Sequence, residues 1–178
     1  MSEEPVGVGI LGLGTIGTGV AKVLGRNASV ITQKLGFPLR LVRVADIDTE
    51  RERDVDLAGV RFDSDAEGLI GDPDVSIVIE LIGGYDAAKR LTMSAIEHGK
   101  HVVTANKALL ALHGKEIFDA AASRGVDVAF EASVGGGIPI LRSMREGLAA
   151  NRIQSLHGIM NGTTNYVLTE MERTGELF

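Results

Sequence analysis

Four stretches of this chain combine residue types that could do chemistry. The first, Gly12-Leu-Gly-Thr-Ile-Gly17, matches G-x-G-x-x-G. Between a strand and a helix, glycines at this spacing point to dinucleotide binding. Gly12 would permit the tight turn, Gly14 the approach of backbone N–H groups to a pyrophosphate, and Gly17 close packing of helix on strand. The helix N-terminus adds unpaired N–H groups and a partial positive charge. A purely structural glycine turn is the plainer alternative. The second stretch centres on Asp46, a carboxylate at a strand end, where ribose hydroxyls are read. Asp48, Arg51 and Arg53 follow it. The acid favours a free 2′-hydroxyl, the arginines would suit a 2′-phosphate, and a solvated charged loop would explain all of them.

The third stretch is Thr104-Ala-Asn-Lys107. A lysine here can act as a cation near phosphate or substrate, or as a proton donor. It can equally be a surface lysine at a helix start, where its charge opposes the helix dipole. The fourth is Glu131-Ala-Ser-Val-Gly-Gly-Gly-Ile138. A carboxylate followed by a glycine loop offers the oxygen ligands a hard cation takes, although a glycine turn alone also accounts for it.

Composition narrows the setting for these residues. At 178 residues the chain suits one substantial domain with part of a second. A net charge of −6 argues against a nucleic-acid or anionic-membrane surface. The absence of cysteine excludes disulfides, thiol nucleophiles and cysteine-ligated metals. No apolar run approaches the roughly 20 residues of a membrane span. The acidic start, Met-Ser-Glu-Glu-Pro, lacks signal-peptide features, so a cytoplasmic protein is expected.

The elements that must hold these residues follow from periodicity. Val6 to Leu11 reads as a central strand buried on both faces, and Thr18 to Leu24 as a helix with Val20, Val23 and Leu24 inward. Val30, Ile31 and Leu35 mark a second helical segment, which lengthens the gap between the glycine motif and Asp46. Strands are expected at Leu39–Ala45, Val60–Phe62, Val75–Ile82, His101–Thr104 and Val126–Phe130. Helical stretches are expected at Asp65–Ile70, Asp86–Glu97 and Leu109–Ser123, the last with Leu110, Ile117 and Ala121 inward. Gly83 and Gly84 end a strand in a flexible loop that would pass close to a cofactor. A helix with Pro139 in its first turn would bury Leu141, Met144 and Leu148. A strand from Arg152 to Met160 and a helix from Tyr166 towards Arg173 complete the expectation.

Three segments together resemble the homoserine dehydrogenase family: Thr-Ala-Asn-Lys107, Phe130-Glu-Ala-Ser-Val-Gly-Gly-Gly-Ile-Pro-Ile-Leu-Arg142 and Gly158-Ile-Met-Asn-Gly-Thr-Thr-Asn-Tyr-Val-Leu168. With the glycine motif and Ile82-Gly-Gly84 they cover nearly the whole chain in order. The resemblance implies an α/β, Rossmann-like doubly wound parallel sheet over residues 1–137. It implies the start of an α+β catalytic and dimerisation domain over residues 138–178. The implied reaction is NAD- or NADP-dependent interconversion of homoserine and aspartate 4-semialdehyde, in threonine and methionine synthesis. Leu13, Gly14, Thr15 and Ile16 would touch the pyrophosphate. Thr104 and Lys107 would lie on the nicotinamide side, with Lys107 near the reacting carbon. Glu131 and the carbonyls of Val134, Gly136 and Ile138 would form a sodium site, and Gly162 and Thr163 part of the substrate pocket. A homodimer is implied, with the strand near Ile153 to Met160 contributing. The family's substrate-binding acids and a second lysine, the general acid, lie past the position of Phe178, so a fragment lacking full activity is expected. Two alternatives are a non-catalytic dinucleotide-binding module, which explains the first 130 residues as well, and a dehydrogenase of another semialdehyde.

Overall fold

The computed structural model describes residues 4–159 and 161–175. Six parallel strands form one sheet in the order β3-β2-β1-β4-β5-β6. They are β1 Val6–Leu11, β2 Leu39–Ala45, β3 Arg61–Asp63, β4 Ile77–Glu80, β5 His101–Thr104 and β6 Val128–Ala129. The chain winds outward from β1 to β3, returns, and winds the other way from β4 to β6. The fold is therefore a doubly wound, Rossmann-like α/β sheet, with its switch point between β1 and β4.

Side-chain alternation along the strands builds two cores. On one face Ile10, Leu13 and Val44 pack against Ala21 of α1 (Thr15–Arg26). On the other, Leu11, Ala45 and Val78 meet α3 (Ala66–Ile70), α4 (Asp86–Glu97) and α5 (Lys107–Arg124). A short α2, Ala28–Leu35, bridges α1 and β2 and ends on Gly36 in the left-handed region. The glycines inside β1 answer to this packing. A Cβ on Gly7 would sit 1.7 Å from the Asp74 carbonyl oxygen, and one on Gly9 2.6 Å from Leu69 Cδ2. The β1–β2 register slips by one residue, with Val8 opposite Leu41 but Gly9 opposite Arg43.

Several expected elements are shortened or recast. α1 begins at Thr15 and buries Gly17 and Ala21, while Val23 is 51% exposed. Small residues let the helix approach the sheet, which shifts its contact stripe. β4 covers four residues because the Ile82 N–H leaves the ladder for the Glu80 side chain. β6 covers two, since the Val126 N–H bonds back to Ala121 at the end of α5. In α5 it is Leu109 that is buried, and Leu110 packs at the core margin. After Pro139, α6 (Ile140–Arg142) opens into a wider π turn at Ser143–Gly147, and Leu148 is exposed rather than inward. Residues 152–159 form no strand, because no described strand lies beside them to supply a ladder; Met160 lies outside the described residues. The last helix, α7, spans Gly162–Thr174 and buries no side chain.

Candidate cofactor-binding site

The glycine motif turns directly out of β1 at the switch point. Gly12 has φ +92°, and a Cβ there would meet the Leu81 carbonyl oxygen at 2.8 Å. Its N–H donates to the Ala45 carbonyl at 2.8 Å, which fastens the turn to β2. Gly17 faces inward: a Cβ would lie 2.0 Å from the Gly12 carbonyl oxygen. Gly14 differs, with nothing within 4 Å of its would-be Cβ. It is the N-cap of α1, no side chain caps that helix, and no acid occupies its first turn. Thr15 and Ile16 are exposed beside it. The geometry presents backbone N–H donors and the positive helix end to an open crevice, as an anion requires.

Asp46 follows β2 on the same side. Its Oδ2 accepts the Leu13 N–H at 2.5 Å, and its Oδ1 accepts the Asp48 N–H at 2.9 Å. Arg53 reaches across this corner with its side chain only 7% exposed. Its Nε donates to the Leu13 carbonyl at 2.8 Å, its other nitrogens donate to the carbonyls of Arg51 and Asp48, and it lies 3.5 Å from Asp46 Oδ1. The guanidinium also sits over the Phe62 ring. Arg53 is thus committed to the protein's own backbone, whereas Arg51 is exposed.

Two clefts of about 490 Å³ each flank the glycine turn, and Leu81 and Gly83 line both. One is walled by Gly12, Gly14, Asp46, the 96% exposed Ile47 and residues of α4. The other is walled by Ile16, Glu80, Asn106 and Lys107. Each volume falls in the range of small-molecule sites, and an elongated ligand could occupy both. Lys107 opens α5 and is exposed, and among the described residues its ammonium forms no ion pair. Asn106 caps that helix, its Oδ1 accepting the Leu109 N–H at 3.0 Å.

Other expected site residues have different settings. Thr104 is 1% exposed, with its hydroxyl directed inward onto Glu80. The Glu131 carboxylate accepts N–H bonds from Leu141 and Arg142 at 3.0 Å each, and so caps α6. The Ile138 carbonyl accepts the Ile140 N–H at 2.8 Å, and Val134 and Gly136 lie on the exposed loop between. These donors are all oxygens and Glu131 keeps unused lone pairs, so the set fits a hard cation chemically. Gly162 and Thr163 open α7, where Asn161 Oδ1 accepts the Thr164 N–H; neither residue lines the two clefts. Glu80 belongs to no motif, and its signal in sequence is faint: an acid inside an apolar strand. Arg53 is weighed in the sequence as a partner for a 2′-phosphate, but the signal that it anchors the turn from within is equally faint: an arginine in a charged loop.

This arrangement defines a class first: a dinucleotide-binding domain of the NAD type, with its glycine turn at the switch point of a parallel sheet. A family model described as "Homoserine dehydrogenase, NAD binding domain" matches residues 12–131, and one described as "Homoserine dehydrogenase" matches residues 139–178. The chain belongs to the homoserine dehydrogenase family. It is 50% identical to the homoserine dehydrogenase of Pseudomonas aeruginosa over 98% of its own length and 40% of that protein's. A solved homoserine dehydrogenase from Thiobacillus denitrificans matches 97% of this chain and 40% of its own, with TM-score 0.88 and 49% identity. A hyperthermophilic archaeal homoserine dehydrogenase, solved in complex with NADPH, shares the fold at TM-score 0.80 and 22% identity, over 98% of this chain and 58% of that one. The chain thus spans about 40% of the length of the curated relatives it matches.

Proposed function

We propose that this chain forms the cofactor-binding part of an NAD(P)-dependent enzyme interconverting L-homoserine and L-aspartate 4-semialdehyde, a step of threonine and methionine synthesis. The observation that carries this reading is the open Gly14 turn, with Asp46 on one side and Lys107 on the other. The pyrophosphate would rest on the N–H groups of Leu13 to Ile16, between the structural glycines Gly12 and Gly17. Asp46 and Ile47 would meet the adenosine half, and Gly83 would border both halves. When bound, the nicotinamide supplies or accepts the hydride. Lys107, in the wall of the cleft on this side, would polarise the carbonyl oxygen as negative charge develops there, while Thr104 would support this end from inside the fold. Glu131 and the carbonyls of Val134, Gly136 and Ile138 would hold a sodium ion, and Gly162 and Thr163 would touch substrate. Residues 1–137 would form the cofactor domain and 138–178 part of a substrate and dimer domain. A cytoplasmic homodimer, contacting neither membrane nor nucleic acid, completes the reading.

Two measurements test it. Calorimetric titration of the chain with NAD and NADP should show saturable binding of at least one; binding of neither overturns the cofactor assignment. Homoserine-dependent reduction of NAD(P) by the whole protein that carries this chain should be absorbance-detectable. Oxidation of a different hydroxy compound in its place would overturn the substrate.

A further inference from the structure

Glu80 is the last residue of β4, and its side chain is fully buried, at 0% exposure. It follows an apolar strand run and has no ion-pair partner among the described residues. Its carboxyl oxygens are nevertheless both used: Oε1 accepts the Ile82 N–H at 3.0 Å, and Oε2 accepts the Thr104 hydroxyl at 2.7 Å. Thr104 Oγ1 in turn accepts the Asn106 N–H at 2.9 Å, and Asn106 Nδ2 donates to the Gly84 carbonyl at 2.6 Å. The bonds close a ring that runs from Glu80 through the loop at 81–84, across to Asn106, and back through Thr104. Glu80 and Thr104 are register partners on β4 and β5, so this ring joins the carboxyl ends of two adjacent strands.

Leu81 and Ile82, at the start of this loop, pack at the margins of the two cores, and the Leu81 N–H donates to the Leu11 carbonyl at 2.8 Å. Gly83 and Gly84 beyond them have φ of +72° and +67°, and no neighbouring atom comes within 4 Å of a Cβ built on either. The path of this glycine pair is held by the Asn106 bond to the Gly84 carbonyl and not by side-chain packing. Burying a carboxyl group in an apolar strand is costly even when its bonds are made, which is poor value if stability is all it serves. The segments so fixed, 81–84 and 105–107, are walls of the cleft that contains Lys107. We propose that Glu80 is a positioning residue for the nicotinamide half of the cofactor, setting the two βα loops at the distance that ring needs. This rests on the cofactor reading above.

The test separates the two halves of the ligand. The full 178-residue chain, as wild type, Glu80→Gln, Glu80→Ala and Thr104→Val, is titrated with ADP by calorimetry and with NADH and NADPH by nicotinamide fluorescence. Glu80→Ala should weaken the better-bound reduced cofactor by about tenfold, the scale set by leaving buried donors unpaired. It should also abolish most of the fluorescence change while leaving ADP within about twofold. Glu80→Gln should fall between, since its amide can keep the Ile82 bond but forces the Thr104 hydroxyl to turn. Should Glu80→Ala fail to fold, Thr104→Val, which keeps the side-chain shape and removes both hydroxyl bonds, decides. Parallel loss of ADP and reduced cofactor, or no change in either, overturns the proposal. Wild type that binds neither ligand overturns the cofactor reading and this proposal together. Wild type that binds ADP with no nicotinamide signal leaves the phosphate site standing and overturns the proposal alone.

Discussion

Asp46 Oδ2 receives the Leu13 N–H at 2.5 Å, across 33 residues of sequence. One carboxylate therefore shapes the glycine turn and forms part of the cleft wall beyond it. Asp46→Asn keeps an acceptor for Leu13 and removes the charge. Repulsion between two unit charges about 4 Å apart in water is about 1 kcal/mol, so this variant should move the NADP-to-NAD affinity ratio about fivefold towards NADP. Asp46→Ala should also weaken both cofactors, because the turn loses its anchor. Dissociation constants for both cofactors check this; an unchanged ratio in Asp46→Asn removes the carboxylate from the ribose site.

The two later glycines of the motif should fail in opposite ways. Gly17→Ala forces a Cβ onto the Gly12 carbonyl and should destabilise the fold by about 1–3 kcal/mol, as overpacking does. Gly14→Val has room and should leave the melting temperature near wild type while blocking the pyrophosphate. Thermal unfolding and cofactor titration on both variants give the two-by-two result. Normal cofactor binding by Gly14→Val would contradict the phosphate assignment.

Arg53 should behave as a structural residue of the site rather than a phosphate ligand. Arg53→Met removes donors from three carbonyls and leaves Asp46 without its cation. Breaking such a nearly buried pair should cost about 3 kcal/mol. Affinities for NAD and NADP should fall together. A loss confined to NADP would mean that Arg53 turns outward to a 2′-phosphate.

Acid should loosen the β2–β3–α3 corner. Burial raises the Asp63 carboxyl, but hydrogen bonds from Arg43, the Asp65 N–H and Arg61 outweigh it and hold the group below its ordinary value. A lowered folded-state value gives stability that is full above the ordinary 3.8 and is lost as pH falls through the folded value. Unfolding midpoints should therefore drop below about pH 4, and Asp63→Asn should flatten that drop. Equal slopes in the two proteins would count against it.

For the proposed ion, sodium should raise the melting temperature above that in equimolar choline, and Glu131→Ala should erase the difference. Because Glu131 also caps α6, the variant should melt lower in both salts. A sodium effect that survives the substitution would place the ion elsewhere.

The sheet and the glycine turn were legible because both follow from local pattern. Apolar runs gave β1 and β2, and the apolar spacing of Asp86–Glu97 gave α4 with its observed bounds. The turn's detail was legible at Gly12 and Gly17, where the would-be Cβ clashes mirror the expected roles. Val23 was misplaced because small residues moved the contact face of α1, which periodicity alone does not weigh. Residues 152–159 carry strand-forming side chains, but a strand needs a neighbour, and the sequence does not reveal whether one is at hand. Glu80 stayed hidden, and Asn106 and Arg53 were visible without these roles, because their bonds to Thr104, Gly84 and Leu13 span more than 20 residues and join strand ends that only the folded sheet brings together.

The slipped register in β2 works as a phase adjustment. Leu41 and Val44 are three apart, so regular alternation would send them to opposite faces, yet both pack on the α1 side; Val42 and Ala45 likewise share the other. The extra residue inverts the parity of the strand half-way along. β1 alternates regularly, so the bulge absorbs Val42 as a surplus residue and lets Arg43 to Ala45 keep step with Gly9 to Leu11. Asp46 therefore leaves β2 level with the glycine turn that leaves β1, and the surplus residue is hidden from the site: a deletion at Val42 would regularise the strand and leave the aim of Asp46 as it is.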